Sequence, residues 1–249
     1  MKILAIHAHP DDVEFLCAGT LYLLSEKGHE IHIASLSSGD KGSPDKCCEE
    51  VIGIRRAEAE RSASIIGARY CCLNFADFEI YDDSPSRKRV TEFLREIRPE
   101  VILTASPGDY LTDHENTSAL VRNAAFFAPV RNYATGPSAP LDAIPAVYYV
   151  DPLEGIDVLG QKVKPDFCVD ITSAMPIKEK MLSCHESQRE WLRKHHCVDQ
   201  YVESMREWSA IRGREFGCQY GEGFRQHKGH AYPQENILAK LVSLSILCN

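Results

Sequence analysis

The chain has 249 residues, of which 44% are hydrophobic and 26% charged, a composition for one α/β domain with a large core rather than a disordered or fibrous chain. Its formal net charge of −8 supplies no global basic field, so no nucleic acid and no anionic membrane surface is expected as a partner. No apolar run approaches the roughly 18 residues needed to span a bilayer, and the ten cysteines, without a C-x-x-C spacing, read as reduced thiols of a cytoplasmic protein.

Taken in order, residues 2–8 predict a buried strand. Residues 13–27 predict a buried helix with Phe15, Leu16, Leu21, Leu23 and Leu24 on its apolar face, ended by Gly28. A second strand at 30–36 and a helix at 54–66, closed by Gly67, come next. A third strand at 69–75 and a helix at 84–98, stopped by Pro99, follow them. Then come a strand at 101–105, a helix at 114–127 and a strand at 146–150, with the proline-rich segment 129–145 as a surface loop. Residues 163–171 predict a sixth strand. Residues 187–216 predict a long helix, since Trp191, Leu192, Val198, Val202, Met205 and Ile211 recur near a 3.6 period. A glycine-rich stretch at 217–230 and a short helix from Gln234 close the chain. This alternation predicts an α/β fold: a Rossmann-like, doubly wound, mostly parallel sheet with a C-terminal helical addition. The simplest organisation is one domain over 1–249, with 1–150 as the core and 151–249 as an extension that completes the pocket.

The densest chemistry is His7-Ala8-His9-Pro10-Asp11-Asp12-Val13-Glu14, directly after the first strand. Helix capping accounts for one aspartate or two. It does not account for a histidine held before a rigid proline with two carboxylates next, a donor set that suits Zn²⁺. A second cluster, Asp109-Tyr110-Leu111-Thr112-Asp113-His114-Glu115-Asn116, follows the fourth strand. In a 3-2-1-4-5 sheet, strands one and four are neighbours at the switch point, where ligands bind beyond the strand ends. The two clusters are therefore expected to meet. A dinucleotide is excluded there, because Asp11 and Asp12 occupy the turn that a pyrophosphate would need. No G-x-S-x-G segment offers a serine nucleophile.

The run Ala8-His9-Pro10-Asp11-Asp12-Val13-Glu14 resembles the signature of the LmbE/PIG-L family of zinc-dependent N-deacetylases, which act mainly on N-acetylglucosamine-type amides. Asp113-His114-Glu115-Asn116-Thr117 resembles the family's second metal motif. Ser38-Gly39-Asp40-Lys41-Gly42 and Arg55-Arg56-Ala57-Glu58-Ala59 resemble further family segments, so the likeness covers most of residues 2–128. It implies that His9, Asp12 and His114 hold Zn²⁺, in a His₂-carboxylate set that also accepts Fe²⁺. It implies Asp11 as general base, Asp113 as its charge-balancing partner in catalysis, and Glu14, Asp40, Arg55, Tyr110 and His185 around the substrate. The expected reaction is hydrolysis of a sugar amide by activated water. An amidase of another sugar or thiol conjugate and a non-catalytic sugar-binding relative are the alternatives. A homo-oligomer, trimer or hexamer, is also implied. One departure stands out: many relatives carry a histidine where this chain has Leu111. His227 and His230 are expected to replace it as catalytic groups, ahead of His185 and Tyr110, with segments 129–145 and 217–233 shaping the pocket. His195 and His196 read as a solvated helix face.

Overall fold

All residues from Ile3 to His7 of the first strand, β1 (Lys2–His7), are buried, the pattern of a central strand covered by helices on both faces. In the computed structural model, which describes residues 1–43, 45–189, 201–242 and the backbone of 246–247, β1 sits inside an eight-stranded sheet. The other strands are β2 (Glu30–Ser37), β3 (Arg69–Phe75), β4 (Val101–Thr104), β5 (Ala146–Val150), β6 (Phe167–Asp170), β7 (Gly221–Gln226) and β8 (Ile246–Leu247). Their order is β3-β2-β1-β4-β5-β7-β6-β8. The first five are mutually parallel, as expected, and β7 pairs antiparallel with both β5 and β6.

Alternation along β1 feeds two cores. Ile3 and Ala5 pack on one face with Leu21 of α2 (Ala18–Glu26) and Met181 of α6 (Met175–Leu182). Leu4 and Ile6 pack on the other with Leu94 of α4 (Ser84–Ile97) and Leu120 of α5 (Thr112–Phe127). The remaining helices are α1 (Asp12–Leu16), α3 (Cys48–Ser64), α7 (Tyr201–Phe216) and α8 (Ile237–Leu241).

Three features depart from the sequence reading. The helix expected at 13–27 is broken at Cys17 into α1 and α2. The break has a cause in the tertiary structure. Glu222 of β7 accepts the N–H groups of Gly19 and Thr20 at 2.9 and 2.7 Å, capping a fresh helix N-terminus, and Lys178 neutralises it at 2.6 Å. Next, the C-terminal third adds strands to the sheet as well as helices. Strand β7 escaped detection because Gly221 and Gly223 give it low strand propensity. A Cβ on Gly223 would lie 2.6 Å from Asp151 Oδ2, so the close approach itself demands glycine.

The third departure concerns the ends of the sheet. Segment 129–145 links the end of α5 to the start of β5, so it lies at the N-terminal edge of the parallel strands. Strand β7 runs against β5, with Val150 opposite Phe224 and Tyr148 opposite Gln226, so the chain leaves β7 at that same far edge. Of the two segments expected to shape the pocket, 129–145 does not border the C-terminal edge, where β1 and β4 end, and within 217–233 the part that follows β7 does not either.

Candidate active site

The chain leaves β1 into a turn that Pro10 stiffens. Asp11 takes φ 102°, a left-handed value costly for a residue with a Cβ, and Asp12 opens α1. This turn folds the Asp12 carboxylate back over the end of β1. Its Oδ2 accepts the N–H of His9 at 2.7 Å and lies 2.6 Å from His7 Nδ1, 3.3 Å from His9 Nδ1 and 3.5 Å from His114 Nε2. His114 arrives from the first turn of α5, after β4, as the switch-point argument expects. Its Nδ1 is 3.1 Å from Oδ1 of the fully buried Asp109 side chain. That carboxylate fixes the ring and leaves Nε2 toward Asp12, the arrangement in which metal-bound histidines are usually held.

Among the described residues, ligand atoms of His7, Asp12 and His114 all lie within 4.8 Å of one another. The expected set had His9 in the place of His7. Both imidazoles lie beside the Asp12 carboxylate, and they differ in exposure. The His7 side chain is sealed at 2% exposure under the turn, whereas that of His9 is 13% exposed and reaches across to Asp113 Oδ2 at 3.3 Å. His7 Nε2 is buried with no hydrogen-bond partner among the described residues. Charges bear out the character of the site. Burial opposes a proton on His9, yet bonds to Asp113 and Asp12 with Asp77 nearby push its pKa up to about 10. Burial likewise opposes charge on His114, and Asp12 and Asp109 raise it. Burial works against the Asp12 carboxylate, but the adjacent His7 and His114 hold it well below its ordinary range. A buried group of carboxylates and imidazoles of this kind could hold a metal ion.

Asp11 is held from two directions. Arg55 Nη2 donates to its Oδ1 at 3.2 Å, and the Tyr201 hydroxyl donates to its Oδ2. Burial raises the Asp11 pKa, and Arg55 offsets part of that rise. Arg55 also reaches Pro10 O at 2.6 Å. It lies so close over Gly39, φ 72°, that a Cβ there would be 2.5 Å from Nη1. The Ser38 to Gly42 segment is thus a seat for Arg55. Asp40 of the same segment accepts the Asp77 N–H at 2.7 Å.

Among the residues expected around a substrate, Tyr110 alone stands well out at the entrance, 57% exposed, its ring 5.6 Å from that of His114. Arg55, Glu14 and His185 are buried behind Asp11. Glu14 accepts from Ser62 Oγ at 2.7 Å and lies 3.3 Å from His185 Nε2. His227 and His230 are not brought to this site. The His227 N–H donates to Val147 O at 2.9 Å and its Nδ1 is 2.9 Å from Tyr149 Oη, at the far edge of the sheet, because β7 is antiparallel. His230 is exposed beyond it. His195 and His196 lie outside the described residues. Sequence reasoning gave no role to Tyr201, Asp77 or Asp109. Asp109 stood in plain view beside the second motif, but Tyr201 and Asp77 carry no local signal and reach the site through the fold.

Comparison with known proteins agrees with this architecture. Residues 4–125 match the family described as PIG-L: GlcNAc-PI de-N-acetylase. The chain is 29% identical over 232 residues to diacetylchitobiose deacetylase of Thermococcus kodakarensis, covering 90% of this chain and 82% of that protein. It is 28% identical over 193 residues to 4-oxalmesaconate hydratase of Pseudomonas putida, covering 74% and 73%. The crystal structure of N,N'-diacetylchitobiose deacetylase from Pyrococcus horikoshii superposes with a TM-score of 0.77 at 27% identity, covering 95% of this chain and 88% of that one.

Proposed function

The chain belongs to the PIG-L/LmbE family of deacetylases, and from that premise we propose that it hydrolyses the acetamide of an N-acetylglucosamine-type sugar or conjugate, with Zn²⁺ as its metal. The observation that carries this reading is the Asp109–His114–Asp12 cluster with Asp11 held beside it. Asp12 and His114 would hold the ion. His9 would take the third place, since its Nδ1 is 3.3 Å from Asp12 Oδ2 and its side chain is more exposed than that of His7. His7, 2.6 Å from the same oxygen and buried, orients the carboxylate. An ion bound there supplies Lewis acidity toward the amide carbonyl and lowers the pKa of water.

The protein's own groups do the rest. Asp11 receives the proton of the attacking water and passes it to the leaving amine, while Arg55 and Tyr201 keep its carboxylate aimed. Asp113 keeps the His9 ring in position through the 3.3 Å contact. Leu111 offers no donor to the oxyanion, and Tyr110 is the exposed hydroxyl in the adjoining loop, so Tyr110 fills that role. A search of acetate release over N-acetyl sugars tests the reading. Asp11→Asn should retain zinc and lose about 10²-fold or more in kcat; near-normal turnover moves the base elsewhere. A second reading, addition of water to a carbon–carbon double bond of a carboxylated substrate, is favoured by the likeness to the hydratase of Pseudomonas putida. It forecasts water addition without acetate release. No described helix is long and apolar enough to cross a membrane.

A further inference from the structure

Two exposed aromatic rings lie beside the candidate site, one bonded through its backbone to Asp113 and one against the His114 ring. Phe78 is 63% exposed. Its N–H donates to Asp113 Oδ2 at 2.7 Å, and that oxygen also lies 3.3 Å from His9 Nε2. Its φ is 67°, in the left-handed region that a bulky residue enters only against resistance. The neighbours explain how it is held there. Asp77 is buried and accepts the Lys41 N–H at 3.0 Å; Ile80 is fully buried, and its carbonyl accepts Asn116 Nδ2 at 2.7 Å. Between these anchors the backbone turns the Phe78 ring outward, with Lys41 Nζ 5.9 Å from its centroid. Lys41 Nζ is in turn 3.4 Å from Glu79 Oε1 and 3.5 Å from Asp40 Oδ2. The surface offered is a flat apolar ring with a charged, hydrogen-bonding border. The Glu79 side chain at that border is 60% exposed, so its carboxylate stays open to a ligand hydroxyl. A pyranose matches it, with a C–H face for the ring and hydroxyls for the edge. Tyr110 stands in the β4–α5 loop, its ring edge-on to His114.

We propose that Phe78 is the stacking platform for a second pyranose ring, linked to the acetamido sugar that faces Asp11. This rests on the deacetylase reading and narrows its substrate to an N-acetylated disaccharide or longer glycan. Loss of a stacked ring face removes apolar contact sufficient for about a tenfold change in affinity. The test compares N-acetylglucosamine with N,N'-diacetylchitobiose as substrates of the zinc-loaded protein. Phe78→Ala should lower the disaccharide-to-monosaccharide ratio of kcat/KM about tenfold, mainly through KM, and Phe78→Trp should restore it. Phe126→Ala, an exposed aromatic at the end of α5, is the control. An unchanged ratio in an active, folded Phe78→Ala protein overturns the inference and leaves the deacetylase reading standing. A shift in oligomeric state with an unchanged ratio also overturns it, assigning the ring to a second copy of the chain. Absence of turnover on every N-acetyl sugar by the unmodified protein overturns both.

Discussion

Asp109 gives the sharpest test of how the metal cluster is built. Its side chain is fully buried, with Oδ1 3.1 Å from His114 Nδ1. As a carboxylate it can only accept, so it fixes the His114 proton on Nδ1 and leaves Nε2 bare toward Asp12, 3.5 Å away. Asp109→Asn keeps the volume but removes the charge. It also lets an amide N–H face Nδ1, which would move the His114 proton to Nε2 and block that atom as a ligand. Outer partners of metal-bound histidines typically contribute 10–100-fold in affinity, about 1.4–2.7 kcal/mol. The buried charge argues for the upper part of that range, because a negative group beside a cation counts for more where water is excluded. Zinc affinity measured by competition with a chromogenic chelator should therefore weaken by about 30–100-fold in Asp109→Asn. Asp109→Ala should weaken it at least as much, since Nδ1 then loses its charged partner. Zinc affinities within about twofold of the unmodified protein in both folded variants would refute the orienting role.

Three further outcomes follow from the same geometry. His9→Ala and His114→Ala should each abolish stoichiometric zinc, whereas His7→Ala should retain it with about 10-fold weaker binding; metal analysis showing the reverse for His7 and His9 would give the third place to His7. His227→Ala and His230→Ala should leave kcat/KM within about twofold, as for substitutions away from a site, and a large loss in either would contradict their position at the far edge of the sheet. The Glu14–His185 contact should make stability depend on pH. Burial opposes the charge on both, but their mutual attraction raises His185 from 6.5 and lowers Glu14 from 4.5. The stabilisation from His185 is full below 6.5 and is lost as pH rises through its raised value; that from Glu14 is present above 4.5 and is lost as pH falls through its lowered value. Thermal midpoints with a chelator present should fall less at high pH in His185→Gln than in the unmodified protein, and parallel curves would exclude the pair as a source.

The sequence alone determined the order of the first five strands and the convergence of its two motifs. Both depend on local information. Continuous apolar runs such as Ile3 to Ile6 announce buried parallel strands, and a chain of alternating strands and helices places the ends of β1 and β4 side by side. It also marked the first motif, because helix capping did not account for a histidine held before Pro10 with two carboxylates next, and the family resemblance singled out Asp11, Asp12 and His114. The tertiary structure decided the remainder. Whether His7 or His9 faces the cluster depends on a turn with Asp11 at φ 102°, which no residue preference announces. Tyr201 reaches Asp11 across 190 residues of chain, and Asp77 reaches His9 from the loop after β3. The direction of β7 decided the fate of His227 and His230. Their glycine-rich surroundings suggested close approach to a site, and close approach is what Gly223 provides, toward Asp151. Pairing with β5 then carries the chain to the opposite edge of the sheet. Strand direction is set by the β5–β7 hydrogen bonds, between residues about 75 apart, and by Glu222 capping α2 from about 200 residues away, interactions that exist only once the sheet has formed.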